Sequence, residues 1–315
     1  MVGPVRLGQA RPVQGKARSR VLQTALRGLP AGCGPALLQR LGRRSATTGG
    51  TDKQRQLPSE TPASMTSVVA PVPSLRVLTI NTHKGFTFFN RKFMLPELRE
   101  AIRSVKADLV FLQEVQGEDE KRAVHWGDVP EAPHYEFLAD TIWPQFAYGR
   151  NAVYPHGDHG NALLSKFQIV SYDNLDISQS GHENRGLLHC VLRLPGSGQE
   201  VHAICIHLGL REVHRQQQLR LIEQRISEIP ADAPLIVAGD FNDWRHKADL
   251  SQSGLKEVFV QTLGKPARTF PARLPLLPLD RIYVRNLKVH NPRVLTTRPW
   301  SHLSDHVPLS VEIEL

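Results

Sequence analysis

The sequence predicts an α+β or layered α/β domain in which two β-sheets pack together. Three observations predict it. Apolar runs of strand length outnumber segments with a helical apolar period. Some runs follow one another through tight turn signals, while others are separated by an amphipathic helix. Six runs carry Asn, Glu, Asp or His at one end, which points to a polar site along one rim of a sheet.

In chain order, residues 75–81 read as a strand. A helix follows near 92–104, with Leu95, Leu98, Ile102 and Val105 on one face. Residues 108–113 form the next strand. The stretch 116–160, with its Gly, Pro, His and Trp residues, reads as long, irregular and functional. NALLSKFQIVSYDNL, RGLLHCVLRL and EVHAICIHL read as successive strands, the last two joined by the hairpin signal PGSGQ. A helix over 211–229 places Leu219, Ile222, Ile226 and Ile229 at helical spacing. Strand 234–238, a Pro-rich loop over 266–279, strand 280–284 and a closing strand over 307–314 complete the chain. No internal repeat is visible in the residues.

Composition sets limits. The 315 residues, 40% hydrophobic and 22% charged, suit a globular protein with a sizeable core. No apolar run approaches the ~20 residues of a membrane helix. Cys33, Cys190 and Cys205 make no disulfide framework, and the last two sit in apolar runs as small hydrophobes. A reducing compartment fits, so the expected location is cytoplasmic, with peripheral membrane association as an option.

The net charge of +9 is unevenly placed. Residues 1–64 hold 11 of the 39 basic residues and 2 of the 30 acidic ones, so the remainder balances at 28 and 28. Residues 1–64 are Arg-rich and lack the apolar content to fold alone. Two readings stand: an organellar targeting peptide, or a dispensable tail ahead of a start at Met65. The lack of a clean amphipathic helix favours the second. The expected organisation is a basic tail, 1–64, and a catalytic domain, 65–315, that acts as a monomer.

The strand ends carry the chemistry. LIVAGDFNDW delivers Asp240, Asn242 and Asp243 at the end of an apolar run. Other runs present Asn81, His83 and Lys84, then Gln113 and Glu114, then His207, Asp280, and the pair Asp305 and His306. Turns use Asn, Asp and Gly, but they have no need of a Glu and two His at these places. Glu114, Asp240 and Asp305 are hard anionic oxygens, with Asn81 and Asn242 beside them. That set suits Mg²⁺, with Mn²⁺ as a substitute, and does not suit a structural zinc. With His207 and His306 it supplies what phosphoester hydrolysis requires: charge neutralisation, a positioned water and an assisted leaving oxygen.

INTHKG, LQEV, CIHL, GDFND, LDRIYV and SDHVPL, in this order, resemble the endonuclease/exonuclease/phosphatase superfamily over roughly residues 74–315. The resemblance implies a four-layered α/β sandwich like that of deoxyribonuclease I: two packed mixed sheets flanked by helices. It implies Glu114 as the main metal ligand, supported by Asn81 and Asp305. Asp240 would orient or deprotonate the attacking water, and Asn242 would hold a phosphate oxygen. His306, oriented by Asp280, would contact the phosphate, and His207 would assist the phosphate or leaving group. Asn161, His83 and Lys84 would bind substrate. NTHKGF, HLGLREVHRQQQ and TFPARLPLLPLDRIYV are similar to a bacterial branch that resembles the C-terminal domain of glycosylphosphatidylinositol-anchor lipid-remodelling proteins. His83 stands where apurinic endonucleases carry an acid, and those enzymes lack a counterpart of His207. Both departures point away from abasic-site repair.

The favoured expectation is a Mg²⁺-dependent phosphodiesterase acting on a lipid-derived or small phosphate ester. A nuclease of the same fold and an inactive module that binds nucleic acid or membrane are the alternatives. Phe86, Phe88, Phe89, Trp143, Trp244 and Trp300 flank the motifs and lend weak support to a ligand with an apolar part. His156 and His159 have the spacing of a metal pair, but a solvated loop is the favoured reading.

Overall fold

A computed structural model describes residues 74–87, 92–119, 132–179 and 183–314. Residues 1–64, Met65, Phe88 and Phe89 lie outside these, as does Cys33. The described strands form two six-stranded sheets. The first takes β1 (Ser74–Asn81), β2 (Leu109–Asp119), β3 (Gln145–Tyr154), β4 (Gly157–Ser165), β11 (Lys288–Val294) and β12 (Leu309–Glu314), in the order β11-β12-β1-β2-β4-β3. The second takes β5 (Gln168–Asp176), β6 (Gly186–Arg193), β7 (Glu200–His207), β8 (Leu235–Asp240), β9 (Lys256–Glu257) and β10 (Asp280–Arg285), in the order β5-β6-β7-β8-β10-β9.

The two sheets share one plan. Each has a single parallel pair at its centre, β1 with β2 and β7 with β8, and antiparallel neighbours on both sides. Parallel pairing needs a crossover. Helix α1 (Leu95–Val105) supplies it in the first sheet, and α3 (Glu212–Ser227) in the second. Two short helices, α2 (His134–Ala139) and α4 (Val258–Leu263), are the other α-helices among the described residues. This duplication lies in pairing pattern, and the residues carry no trace of it.

Alternation along the central strands builds the layers. Val77, Phe111, Ile236 and Ala238 point into the core between the sheets, with Cys190 and Cys205. Leu78, Ile80 and Val110 point the other way, onto Leu98 and Ile102 of α1. Leu235 and Val237 meet Leu219, Ile222 and Ile226 of α3. Both faces of the central strands are therefore buried, which is why they read as continuous apolar runs.

Several expectations are corrected. Within the stretch 116–160 the described residues are largely regular: β2 runs on to Asp119, and α2, β3 and the start of β4 lie between 134 and 160. Residues 161–175 are not one strand. The chain leaves β4 at Ser165 and enters β5, in the other sheet, at Gln168. β9, α4 and β11 were not expected at all. Trp143, Trp300 and Phe86 are buried core residues, and Trp143 donates its ring N–H to Ala107 O at 3.0 Å. Trp244 alone of this described group is exposed, lying under the Arg215 guanidinium.

Candidate active site

The site lies where both parallel pairs end. Asn81 is the last residue of β1, His207 of β7 and Asp240 of β8. In open α/β sheets the carboxyl ends of parallel strands are where ligands bind. β10 and β12 run the opposite way, so their first residues reach the same rim. Asp280 pairs with Asp240 across β10 and β8, and Asp305 and His306 precede β12.

Two backbone irregularities aim the acids. Glu114 sits in β2 with φ 52°, where the pairing with β4 shifts register between Leu112 and Val115. This bulge breaks the alternation and turns the Glu114 side chain to the rim. Gly239, at φ 147°, answers a close approach: a Cβ there would stand 2.0 Å from Ile206 O of β7. Glycine lets β7 and β8 close together immediately before Asp240. Asn242, His83 and Lys84 also hold left-handed backbone, at φ 50°, 45° and 54°. Strain at non-glycine residues gathers at functional sites.

The side chains converge. Asn81 Nδ2 donates to Asp240 Oδ2 at 3.1 Å and to Glu114 Oε1 at 3.4 Å, while Asn81 Oδ1 accepts from His83 N. His306 Nδ1 lies 2.7 Å from Asp280 Oδ2, and its Nε2 lies 3.8 Å from Asp240 Oδ2. His207 Nε2 stands 3.6 Å from Asp240 Oδ2 and 4.0 Å from Glu114 Oε1. Asn242 N–H donates to Asp240 Oδ1, and its side chain donates to Leu208 O. Asp305 Oδ1 is 3.8 Å from His83 Nδ1. Asn161 is fully buried behind these groups, donating to Gly186 O and Cys205 O. It thus ties β4 to the second sheet.

Burial and charge set the protonation states. Asp240 is raised to about 7, first by burial and then by the neighbouring Asp280 carboxylate, against the pull of His306. Burial alone would lower His306, but Asp280 and then Asp240 hold it up at about 10. His207, equally enclosed, goes the other way: burial, then Arg185 and His306, push it well below the usual imidazole range. At neutral pH the arrangement therefore holds a protonated His306, a neutral His207 and a half-ionised Asp240 between them.

Asp243, the second acid of the LIVAGDFNDW segment, does different work. It accepts from Arg281 and from Ala248 N–H, locking the turn after β8. Two groups at the rim were not expected. Arg185 and His159 both act on His207. His159 is buried in β4, stacked on Tyr154 at 5.5 Å, and lowered to about 4 by burial and then by Lys84. The solvated-loop reading therefore holds for exposed His156 and fails for His159. No spacing rule links either residue to the strand-end motifs.

A two-sheet sandwich with carboxylates, amides and two imidazoles at one rim defines a class: metal-dependent hydrolases of phosphate esters. The chain belongs to the endonuclease/exonuclease/phosphatase family, whose model matches residues 78–306. The uncharacterized protein YbhP of Escherichia coli (strain K12) is 56% identical over 245 residues, spanning 77% of this chain and 97% of that one. Among solved structures, an endonuclease/exonuclease/phosphatase from Beutenbergia cavernae superposes with a TM-score of 0.62 at 19% identity, covering 77% of this chain and 72% of that one. The mannosyl-6-phosphatase Bt3783 of Bacteroides thetaiotaomicron gives 0.58 at 18% identity, over 76% of this chain and all of that one. A D. rerio TDP2 complexed with single-strand DNA product gives 0.58 at 18%, over 77% and 99%. At these identities the structures speak for the fold. They do not choose between a sugar phosphate and a nucleic acid.

Proposed function

We propose that residues 65–315 form a Mg²⁺-dependent phosphodiesterase for a lipid-derived or small phosphate ester, working in the cytoplasm or at a membrane surface. The observation that carries this reading is Asp240: buried, titrating near 7, and fixed between Asn81 and the His306–Asp280 pair. A base with that affinity for protons is matched to neutral pH.

The donor set fits a hard cation. Three carboxylates, Asp280, Asp240 and Asp305, act on one imidazole held protonated, Glu114 stands 4.0 Å from His207, and buried Asp280 Oδ1 has no hydrogen-bond partner among the described residues. Asp240, Asp280 and His306 bring ligand-type atoms within 4.8 Å of one another, but His306 already bridges those two acids. Glu114 and Asp305, with side chains 22% and 16% exposed, are the carboxylates a cation reaches from solvent. They would hold Mg²⁺, with Asn81 steadying Glu114. Bound there, the ion would neutralise phosphate charge and favour departure of the leaving oxygen.

This chain's own residues do the rest. Asp240 takes the proton of the attacking water as its oxygen bonds phosphorus. The ester P–O bond breaks, its electron pair leaves with the departing oxygen, which takes a proton from solvent while Asp240 gives its proton back to solvent, and a phosphomonoester and an alcohol result. Protonated His306 and the Asn242 amide meet phosphate oxygens. Neutral His207 serves as a hydrogen-bond donor to the leaving side, not as a source of a full proton.

The balanced charge of 65–315 supports a small or lipid ester over duplex DNA, whose binding draws on many Lys and Arg contacts. The similarity of NTHKGF and TFPARLPLLPLDRIYV to lipid-remodelling proteins points the same way. The test compares rates on abasic DNA, plasmid DNA, phospholipid and inositol phosphates at fixed Mg²⁺ and two salt concentrations. Turnover of a lipid or soluble diester above DNA is expected. Strongly salt-sensitive DNA cleavage, with no turnover of the other esters, would reassign the enzyme as a nuclease.

A further inference from the structure

The loop before β10 does more than carry Asp280. Leu274, Leu276 and Leu277 are 65%, 53% and 38% exposed, which puts two of them among the most exposed large apolar side chains described. Arg268 and Arg273 on the same loop are exposed, and so is Arg298, whose charge, like that of Arg273, is felt at His302. Residues 258–279 contain no acid. None of these three arginines forms an ion pair among the described residues.

The loop is stiff and anchored. Pro271, Pro275 and Pro278 restrict it, and Leu276 N–H and Leu277 N–H both donate to Phe270 O at 2.8 Å. Its base is fastened to the site: Ala272 N–H donates to Asp305 O, Val307 N–H to Thr269 O, and the Phe270 ring lies 5.1 Å from the His306 ring. The leucines are thus held out from the rim that bears the chemistry. Three more exposed apolar residues belong to that rim. Tyr154 ends β3, Leu210 follows β7, and Trp244 follows β8.

Exposed apolar side chains on a loop that also bears exposed arginines match one chemistry, an anionic lipid surface. The leucines meet the acyl boundary while the guanidinium groups meet the headgroup phosphates. We propose that the 268–277 loop docks the enzyme on an anionic phospholipid bilayer and turns the active-site rim toward the lipid headgroups. Hydrolysis of vesicle phospholipid rests on the lipid-ester reading; docking stands on the loop itself.

The test uses the full chain and vesicles of phosphatidylglycerol mixed with phosphatidylcholine, against phosphatidylcholine alone. Residues 1–64 bring their own positive charge, so wild type is compared with Leu274→Ser/Leu276→Ser/Leu277→Ser and with Arg268→Gln/Arg273→Gln. Co-sedimentation is read at low salt and at about 0.5 M salt, where charge attraction is screened and apolar insertion persists. The triple leucine variant should lose about tenfold or more of vesicle binding at both salts. The arginine variant should lose about fivefold per charge at low salt only. Hydrolysis of soluble bis(p-nitrophenyl) phosphate should stay within about twofold for both variants, while hydrolysis of vesicle phospholipid falls with binding.

A triple leucine variant that sediments like wild type at high salt would overturn the proposal, as would an arginine variant that sediments like wild type at low salt or a wild type that ignores anionic vesicles. An equal loss of soluble-ester activity would mean a collapsed loop and would overturn it too. A lipid-free dimer that disappears in the triple leucine variant would assign the loop to a second copy of the chain instead. Failure of the wild type to hydrolyse either ester would defeat the substrate reading alone, because sedimentation decides docking independently.

Discussion

The two sheets follow the same pairing plan, yet they bring different acids to the shared rim. The first contributes Glu114 and Asp305, both partly open to solvent. The second contributes Asp240 and Asp280, each 1% exposed. The open carboxylates are the ones a cation can reach from solvent, whereas burial drives Asp240 toward holding a proton. On the proposed mechanism, one architecture used twice yields one half for the cation and one for the proton. The imidazoles repeat the lesson. His207 and His306 are similarly buried, but His306 lies 2.7 Å from Asp280 and is raised, while His207 stands 3.6 Å from Asp240 and 4.0 Å from Glu114 and is lowered.

The sharpest way to break this division is Asp240→Asn. It keeps the shape and removes the base, so kcat should fall about 10³-fold or more. A loss below tenfold would remove Asp240 from proton transfer. Glu114→Gln strikes the open half, and activity should fall by roughly two to three orders of magnitude as charge stabilisation by the metal is lost. Its melting temperature in metal-free buffer should hardly change, because crowded carboxylates repel when no cation is bound. A large loss of stability would make Glu114 a structural residue.

The link between the halves is His306 with Asp280. Asp280→Ala and His306→Ala should each cost about 10²-fold in rate, and the double variant should be hardly worse than the worse single one. Multiplying losses would show that the two act separately.

The pH profile sharpens the comparison further. Asp240 is raised, so it is protonated and inactive below about 7, and the rate should rise with pH through that value. His306 is raised to about 10, so it stays charged until then, and the rate should fall above it. Both limbs belong to the coupled set rather than to single residues. Asp280→Asn removes the leading cause that raises His306 and should bring the alkaline limb down. An alkaline limb unmoved by that change would assign it to another group. The smallest effect should come from starting the chain at Met65: melting temperature and turnover should match the full chain. A clear drop in either would make residues 1–64 part of the domain.

The strand-end motifs were legible because sheets buried on both faces leave unbroken apolar runs, against which a Glu or His at the end stands out. Fold class and the convergence of Asn81, Glu114, His207, Asp240, Asp280 and His306 followed from that contrast. β11 escaped notice because KVHNPRV is a largely exposed edge strand containing Pro292, with no apolar period to read. β3 was hidden because Gly149, Arg150 and Asn151 interrupt its apolar residues midway. The break between β4 and β5 is marked only by Lys166 and Phe167, too weak a signal inside NALLSKFQIVSYDNL. Arg185 and His159 reach the site through sheet packing, and no local pattern announces such an approach. Asp243 sits in the same motif as Asp240, yet its partner Arg281 lies on another strand, so its structural role is visible only in three dimensions.

β12 lies inside its sheet, between β11 and β1, with Leu309 opposite Thr79 and Glu314 opposite Ser74. The first described strand therefore waits for the last described one. While the chain is being synthesised, β1 has β2 as a partner on one edge and nothing on the other until residues 309–314 emerge. Such long-range pairing slows folding and leaves an unpaired edge open to association. It also makes activity report completeness, because a chain cut short before Asp305 lacks both His306 and the strand that closes the sheet.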